Sequence, residues 1–361
     1  MSKSTSGQGS KLGTGLGSSA HVRRTPPTPS RVFDTYWHFA AERQEVYLRR
    51  VSGQEGPWTE DSVLNTYKFT NAYRAADRVS QYLIREVIYR DAFDARDTAF
   101  RVLLFKLFNK IETWQLLQRH FPKLSIRSFD VRQFDAVLSK ALRAGTRIYS
   151  AAYIMPNAPR EHEGSFKHRT HLDLLQRVIT DGTLDRVLES GSMKDAYELL
   201  LAIPSFGTFL AYQFVIDLNY APHFQFSEND FVQAGPGALN GLKKCFTSLG
   251  DYSTADAIAW VTDRQVEEFA ARGIAFKNLW GRALHLVDCQ NLFCEVDKYA
   301  RVAHPEFSVL TGRARIKQRF SPTGTYPTPF FPPKWGIEVR ALTLGVKGTQ
   351  WVRGAQPALF A

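Results

Sequence analysis

The chain has 361 residues, with 46 Lys and Arg against 35 Asp and Glu, a formal net charge of +11, and 44% hydrophobic and 13% aromatic residues. That length allows one large or two small domains around a sizeable core, and the positive balance favours a polyanion or an anionic membrane surface as partner, with a merely soluble basic protein as the alternative. Three scattered cysteines (Cys245, Cys289 and Cys294) exclude a disulfide framework, a Cys-rich zinc site and a four-cysteine iron–sulfur cluster, and no run of about 18 apolar residues marks a membrane span.

Residues 1–30 are rich in Ser, Gly, Thr and Pro and carry Lys3, Lys11, Arg23 and Arg24 with no acid. Too little apolar surface is present there to offset ordering, so the segment is predicted to be a disordered basic tail. From Arg31 onward the apolar spacing is helical. In residues 69–91, Ala72, Ala76, Val79, Leu83 and Val87 form one face, and Arg74, Arg78, Gln81 and Arg85 share the other. That basic face either follows a phosphate backbone or is a solvated surface paired with Asp77 and Glu86. Residues 97–121 present Phe100, Leu104, Leu107, Ile111 and Trp114 on an apolar face, beside a polar stripe of Lys106, Asn109, Lys110 and Thr113. His162, His168 and His171 fall in a stretch that reads as a loop, where a solvated cluster is expected rather than a metal site.

The stretch "IPSFGTFLA" joins two apolar helices through Pro204-Ser205-Phe206-Gly207. Gly207 is free to take a positive φ and to let a backbone come close. The helix beginning near Thr208 offers unpaired N–H groups to a phosphate oxygen. Ile203, Phe206, Leu210 and Phe214 are predicted to hold the pair together, and a plain helix–helix corner is the alternative. Beyond it lies "FSENDF", in which Glu228, Asn229 and Asp230 are acid or capping material. Gly235-Pro236-Gly237 then allows a tight backbone approach and opens a helix carrying Lys243 and Lys244, which either meet phosphate or are simply exposed. Residues 281–302 set Asp288, Asn291, Glu295 and Lys298 along one side of a helix, as a buried polar network or a salt-bridged surface. The Pro- and aromatic-rich residues 321–335 read as an ordered loop packed on the helices. No G-x-x-x-x-G-K-[ST] loop, HExxH, CxxC pair or GxSxG elbow occurs.

The bend and the acid after it resemble the helix–hairpin–helix DNA glycosylases. Pro204, Phe206, Gly207 and Ala211 match their hairpin, and Ser205 stands in for its first glycine. The resemblance implies that Ser205, Phe206, Gly207 and Thr208 clamp a phosphate and that Asp230 is the catalytic acid. Phe209 occupies the position of the Schiff-base lysine, which implies a monofunctional enzyme using water as nucleophile. A carboxylate suits such chemistry because it stabilises positive charge developing on the sugar. The base must leave the stack, and Asn71, Tyr73, Asn109 and Gln290 are candidates to hold it, with Thr113, Asp288 and Asn291 beside them.

Six stretches in order, "FTNAYRAADRVSQYLI", "LLFKLFNKIETW", "GPGALNGLKKCF", "DCQNLFCEVDKYAR", "RIKQRF" and "FFPPKW", resemble a narrower family. It is the helical domain found with 5-hydroxymethyluracil DNA kinases and with the α-glutamyl/putrescinyl-thymine pyrophosphorylases of phage base hypermodification. The likeness spans roughly residues 33–335. It implies a mostly α, glycosylase-like fold, one bilobal domain with a central cleft over residues 31–340, and a C-terminal extension over 341–361. It also implies a monomer on double-stranded DNA bearing modified bases; the cysteine count and the lack of an apolar span place it off the membrane, in a bacterial cytoplasm or a eukaryotic nucleus, with no metal and no cofactor expected. The activity expected from it is N-glycosidic excision of a modified pyrimidine in defence against phage. Asp230 is the first catalytic candidate and Glu295 the second. Arg74, Arg78, Lys106, Lys110, Gly235, Gly237 and Lys243 would join the hairpin on the DNA. A transferase that adds an amine to an activated 5-hydroxymethyl pyrimidine, and a non-catalytic DNA-binding module, are the alternatives. Because the kinase name belongs to a phosphate-loop partner, kinase activity is not expected of this chain.

Overall fold

Side-chain caps set where six of the described helices begin. The computed structural model describes residues 24–151, 155, 166–322, 326 and 328–339. Helix α1 (Arg31–Val51) starts under Ser30, which accepts from Val32 N at 3.1 Å, and α2 (Ser62–Thr66) under Asp61, which accepts from Val63 N at 2.8 Å. A short α3 (Arg78–Tyr82) runs into a π turn at Leu83–Ile88. Helix α4 (Ala95–Phe108) is capped by Asp94 and ends at Asn109, which takes a left-handed conformation (φ 47°) and turns the chain into α5 (Ile111–His120). Next come α6 (Val131–Arg143), capped by Asp130, then α7 (Lys167–Thr180) and α8 (Thr183–Leu188). Ser192 caps α9 (Met193–Leu201), and the hairpin turn leads to α10 (Thr208–Leu218). The chain finishes with α11 (Pro236–Cys245), α12 (Thr254–Asp263) under Ser253, α13 (Gln265–Ala271) and α14 (Leu286–Ala303). Each such cap stabilises its helix by about 1 kcal/mol. Strand β1 (Thr28–Pro29) pairs antiparallel with β2 (Phe246–Ser248), and the described chain is otherwise helix and loop.

Two helices organise the packing. Residues Leu210–Leu218 of α10 are buried on every side, between α9 and α4. A helix apolar all round belongs inside a fold. On α4, Phe105 meets Trp114 of α5 edge-on at 5.8 Å, and between α5 and α6 Phe121 stacks on Phe134 at 4.2 Å. The second organiser is α14, packed on α11, α1 and α12, with Phe293 4.6 Å from Tyr36. Helix α11 lies so close that a Cβ at Gly241 would strike the Phe293 carbonyl, and one at Gly237 the Cys294 sulfur. Among the described residues no helix is long and apolar enough to cross a membrane.

Four local expectations are corrected. Residues 69–91 do not form one amphipathic helix. Asn71 N donates to Asp77 Oδ1 (2.8 Å) and Arg74 N to Asp288 Oδ1 (3.0 Å), and these side-chain acceptors compete with helical bonding and break the segment. Arg74 and Gln81 are consequently buried rather than on an outer face. In the hairpin it is Ser205, not Gly207, that takes the positive φ (71°), whereas Gly207 is extended at φ −91°. The close approach at Gly235-Pro236-Gly237 is made to Phe209 and Cys294 inside the protein. His168 and His171 sit buried on α7, not in a solvated loop; His162 lies outside the described residues. Of the basic tail, residues 24–30 are described: Arg24 pairs with Asp256 at 2.7 Å and Thr25 N donates to Asp251 at 2.6 Å. Residues 1–23 and 340–361 lie outside the described part.

Candidate functional site

The α9–α10 hairpin and the loop after α10 meet on one face. Ile203, Leu210 and Phe214 are buried, and Phe206 packs its ring on Phe214 at 4.6 Å, which closes the hairpin as the sequence pattern predicts. Its turn is open: Gly207 and Thr208 are exposed, no side chain caps the start of α10, and nothing lies within 4 Å of a Cβ built on Gly207. Phe231 of the loop rests against Tyr197 of α9 (4.9 Å) and Tyr212 of α10 (5.8 Å). Phe209 reaches the backbone of Gly235, and Gln290 of α14 lies beside it. The hairpin, the loop carrying Asp230, Gly235 and Gln290 are thus neighbours. Asp230 itself is exposed, and its N–H donates to Ser227 O at 3.4 Å. Asn229 caps α14, its Oδ1 accepting from Leu286 N at 3.2 Å.

Beneath this face lies a buried charged centre. Asp217 of α10 takes Arg74 Nη1 on one oxygen and Lys106 Nζ on the other, each at 2.7 Å. Arg74 also donates to Gln213 Oε1 (3.1 Å) and to Tyr220 Oη (3.0 Å). Burial alone would raise the Asp217 carboxyl; Arg74 and Lys106 outweigh it and hold the group below its ordinary value. Alongside, Glu228 pairs with Arg282 and lies 3.5 Å from His285 Nδ1. Burial would raise Glu228 too, but His285 and Arg282 depress it. Asp288 accepts from the backbone N–H groups of Arg74 (3.0 Å) and His285 (3.1 Å). Burial, aided by Glu228 and opposed by Arg282, lifts Asp288 to about 6. The Pro-rich strap closes the centre: Trp335 lies under Arg282 at 3.8 Å, and Lys334 donates to Phe224 O (2.6 Å), Ala221 O (3.1 Å) and Asn219 O. Burial lowers Lys334 to about 8.

The remaining sequence candidates are distributed elsewhere. Glu295 is buried, accepts from Thr70 N (2.9 Å) and pairs with Lys298 (2.6 Å). Asn291 donates to Asn71 O (3.2 Å), and Asn71 donates to Ala76 O and Tyr326 Oη, both at 2.8 Å. Tyr73 donates to Arg282 O at 2.7 Å. Asn109 and Thr113 shape the α4–α5 corner, with Thr113 bonded to Ile148 O at 2.7 Å, and Lys110 pairs with Glu112 at 3.1 Å. Arg78 and Lys243 are exposed; Lys244 is instead buried against Asp297 at 2.9 Å. Among the described residues no group of His, Cys, Asp and Glu is arranged to hold a metal ion. Sequence reasoning passed over Asp217, Gln213, Arg282 and His285. The first two had a legible signal, being polar residues four apart in an otherwise apolar helix, since a buried acid must be paired.

Comparison with known proteins identifies the family. The chain belongs to the family of the helical domain of 5-hmdU DNA kinase, whose model matches residues 30–309. It is 27% identical over 298 residues to a 5-hmdU DNA kinase of Bacillus phage SP10, an alignment covering 77% of this chain and 46% of the phage protein. The chain therefore spans about half the length of the curated relative it matches. No solved structure matches it. These findings correct the excision activity expected from the hairpin and its acid. The relative is named a kinase, which transfers phosphate, and not a hydrolytic glycosylase. The oxocarbenium chemistry for which Asp230 and Glu295 were put forward falls with that activity.

Proposed function

We propose that this chain is the DNA-holding helical part of a phosphotransfer system acting on 5-hydroxymethyldeoxyuridine in DNA. The observation that carries this is the family match over residues 30–309 together with the words of the relative's name. The charge of +11 supports a DNA partner. Because the sequence holds no G-x-x-x-x-G-K-[ST] loop, nucleotide binding is assigned outside the helical part. Residues 31–340 act as one unit, flanked by 1–30 and 341–361, with a single copy on the duplex. The α9–α10 hairpin keeps its likeness to helix–hairpin–helix elements, and its exposed turn at Ser205–Thr208 is given a phosphate to hold. The Asp217 and Glu228 ion pairs set the angle between that hairpin, the Asp230 loop and α14.

A selection experiment tests this. Equal amounts of two duplexes, one with thymidine and one with 5-hydroxymethyldeoxyuridine at the same positions, are captured on the immobilised full chain, and nucleosides of the bound fraction are measured by mass spectrometry. Enrichment of the hydroxymethylated nucleoside is expected. A bound fraction with the composition of the input contradicts the proposal.

A further inference from the structure

Two of the five cations first assigned to DNA, Arg74 and Lys106, turn inward. Arg74 and Lys106 are spent on Asp217, and Lys110 on Glu112. A different basic element faces solvent. Between Glu306 and Glu338 the chain has no acidic residue, and within it "RARIKQR" sets Arg313, Arg315, Lys317 and Arg319 at every second position. All four are exposed, while Ile316 between them packs on the core. No ion pair of these four is found among the described residues, in contrast to the paired cations of the interior.

The element is held in place. Arg301 Nη1 donates to Arg315 O at 3.1 Å. Lys68 N donates to Gln318 O and Phe320 N to Thr66 O, both at 3.0 Å, and Tyr67 and Arg319 form an antiparallel bridge. Phe320 meets Trp58 edge-on at 6.2 Å, and the Arg50 guanidinium lies over both rings, at 4.9 Å from Trp58 and 5.5 Å from Phe320. Lys68, exposed on the neighbouring chain, adds a fifth cation beside Gln318. At full stretch, seven residues span about 20 Å, the axial length of about six nucleotides of one DNA strand.

We propose that the Arg313–Arg319 segment, with Lys68 beside it, is a DNA-backbone contact that supplies sequence-independent affinity. It lies beyond the residues matched by the family model, which end at 309. The proposal rests on the DNA-holding function above, and it adds a surface which that function does not define. Such a contact carries no base information; it positions the duplex while the base is read elsewhere.

The test compares the full chain with a variant carrying Arg313→Gln, Arg315→Gln, Lys317→Gln and Arg319→Gln, and with a control carrying Arg119→Gln, Arg127→Gln, Arg132→Gln and Lys140→Gln, also exposed. Affinity for a hydroxymethylated and for a thymidine duplex is measured against salt. Each lost phosphate contact lowers the log–log salt slope by about 0.9, so the segment variant, with four contacts removed, should lose about 3.6 in slope and at least 30-fold in affinity at low salt. Its preference between the two duplexes should stay unchanged, and the control should keep nearly all of its slope. An unchanged slope in the segment variant, or an equal loss in the control, overturns the proposal. So does binding of the segment to phosphatidylserine vesicles in preference to DNA. A wild-type chain that binds neither duplex sinks the function itself, whereas a wild type that binds with a segment variant of equal slope sinks only this contact.

Discussion

Replacing Asp217 by Asn tests whether the buried charged centre holds the hairpin to the rest of the fold. The side chain keeps its shape, but two cations at 2.7 Å, Arg74 and Lys106, lose their shared counter-ion in a site where all three are at most 6% exposed. The local charge rises from +1 to +2 with no water to screen it. Breaking a buried pair from one side costs about 3–5 kcal/mol. Against a total stability of about 5–15 kcal/mol, that is a fifth or more of what keeps the chain folded. Urea unfolding followed by circular dichroism and by tryptophan fluorescence reads the loss directly. A second variant sharpens the test: Lys106→Met in the Asp217→Asn background removes one of the stranded cations. The double variant should then be more stable than the sum of the single effects by at least about 1 kcal/mol. A loss below about 1 kcal/mol for Asp217→Asn, or strict additivity, refutes the reasoning.

Two further outcomes follow from the packing and the titration of single residues. Gly241→Ala places a methyl against the Phe293 carbonyl and should lower stability by about 1–3 kcal/mol, measured by thermal unfolding, whereas Gly207→Ala, with open space around it, should cost under about 1 kcal/mol. Asp77 is raised by burial to about 7, against the pull of the Asn71 N–H and Arg43. The unfolded chain loses that proton near pH 4, so between about pH 4 and 7 the native state alone keeps it and stability falls as pH rises. Asp77→Asn should remove about 2–4 kcal/mol of that decline from the stability profile, and an unchanged profile contradicts the assignment.

Much of the helical frame was legible because it depends on short-range rules. The 3.6-residue spacing gave α14 and the helical stretch 97–121, which the left-handed Asn109 divides into α4 and α5, and Ile203, Leu210 and Phe214 close the hairpin as their spacing implies. What the pattern could not carry was the direction of individual polar side chains. Arg74 sits on what sequence spacing makes an outer face, yet Asp217 and Tyr220, more than a hundred residues away, turn it inward. Asn71 and Asp77 interrupt residues 69–91 through side-chain bonds that no periodicity records. The packed corner between α9 and α10 was legible, but a helix–helix bend does not name a reaction. Its acid, Asp230, lies exposed on the loop, whereas Glu228 two residues earlier is the buried, paired one.

The central claim is that this helical unit distinguishes hydroxymethylated from ordinary DNA. Its most direct test is a pair of equilibrium titrations by fluorescence anisotropy at one fixed salt concentration, on duplexes differing only by 5-hydroxymethyldeoxyuridine in place of one thymidine. A hydroxyl bonded to a charged group contributes about 1.5–3 kcal/mol, so the modified duplex should bind about tenfold tighter or better. Equal dissociation constants for the two duplexes would contradict the account.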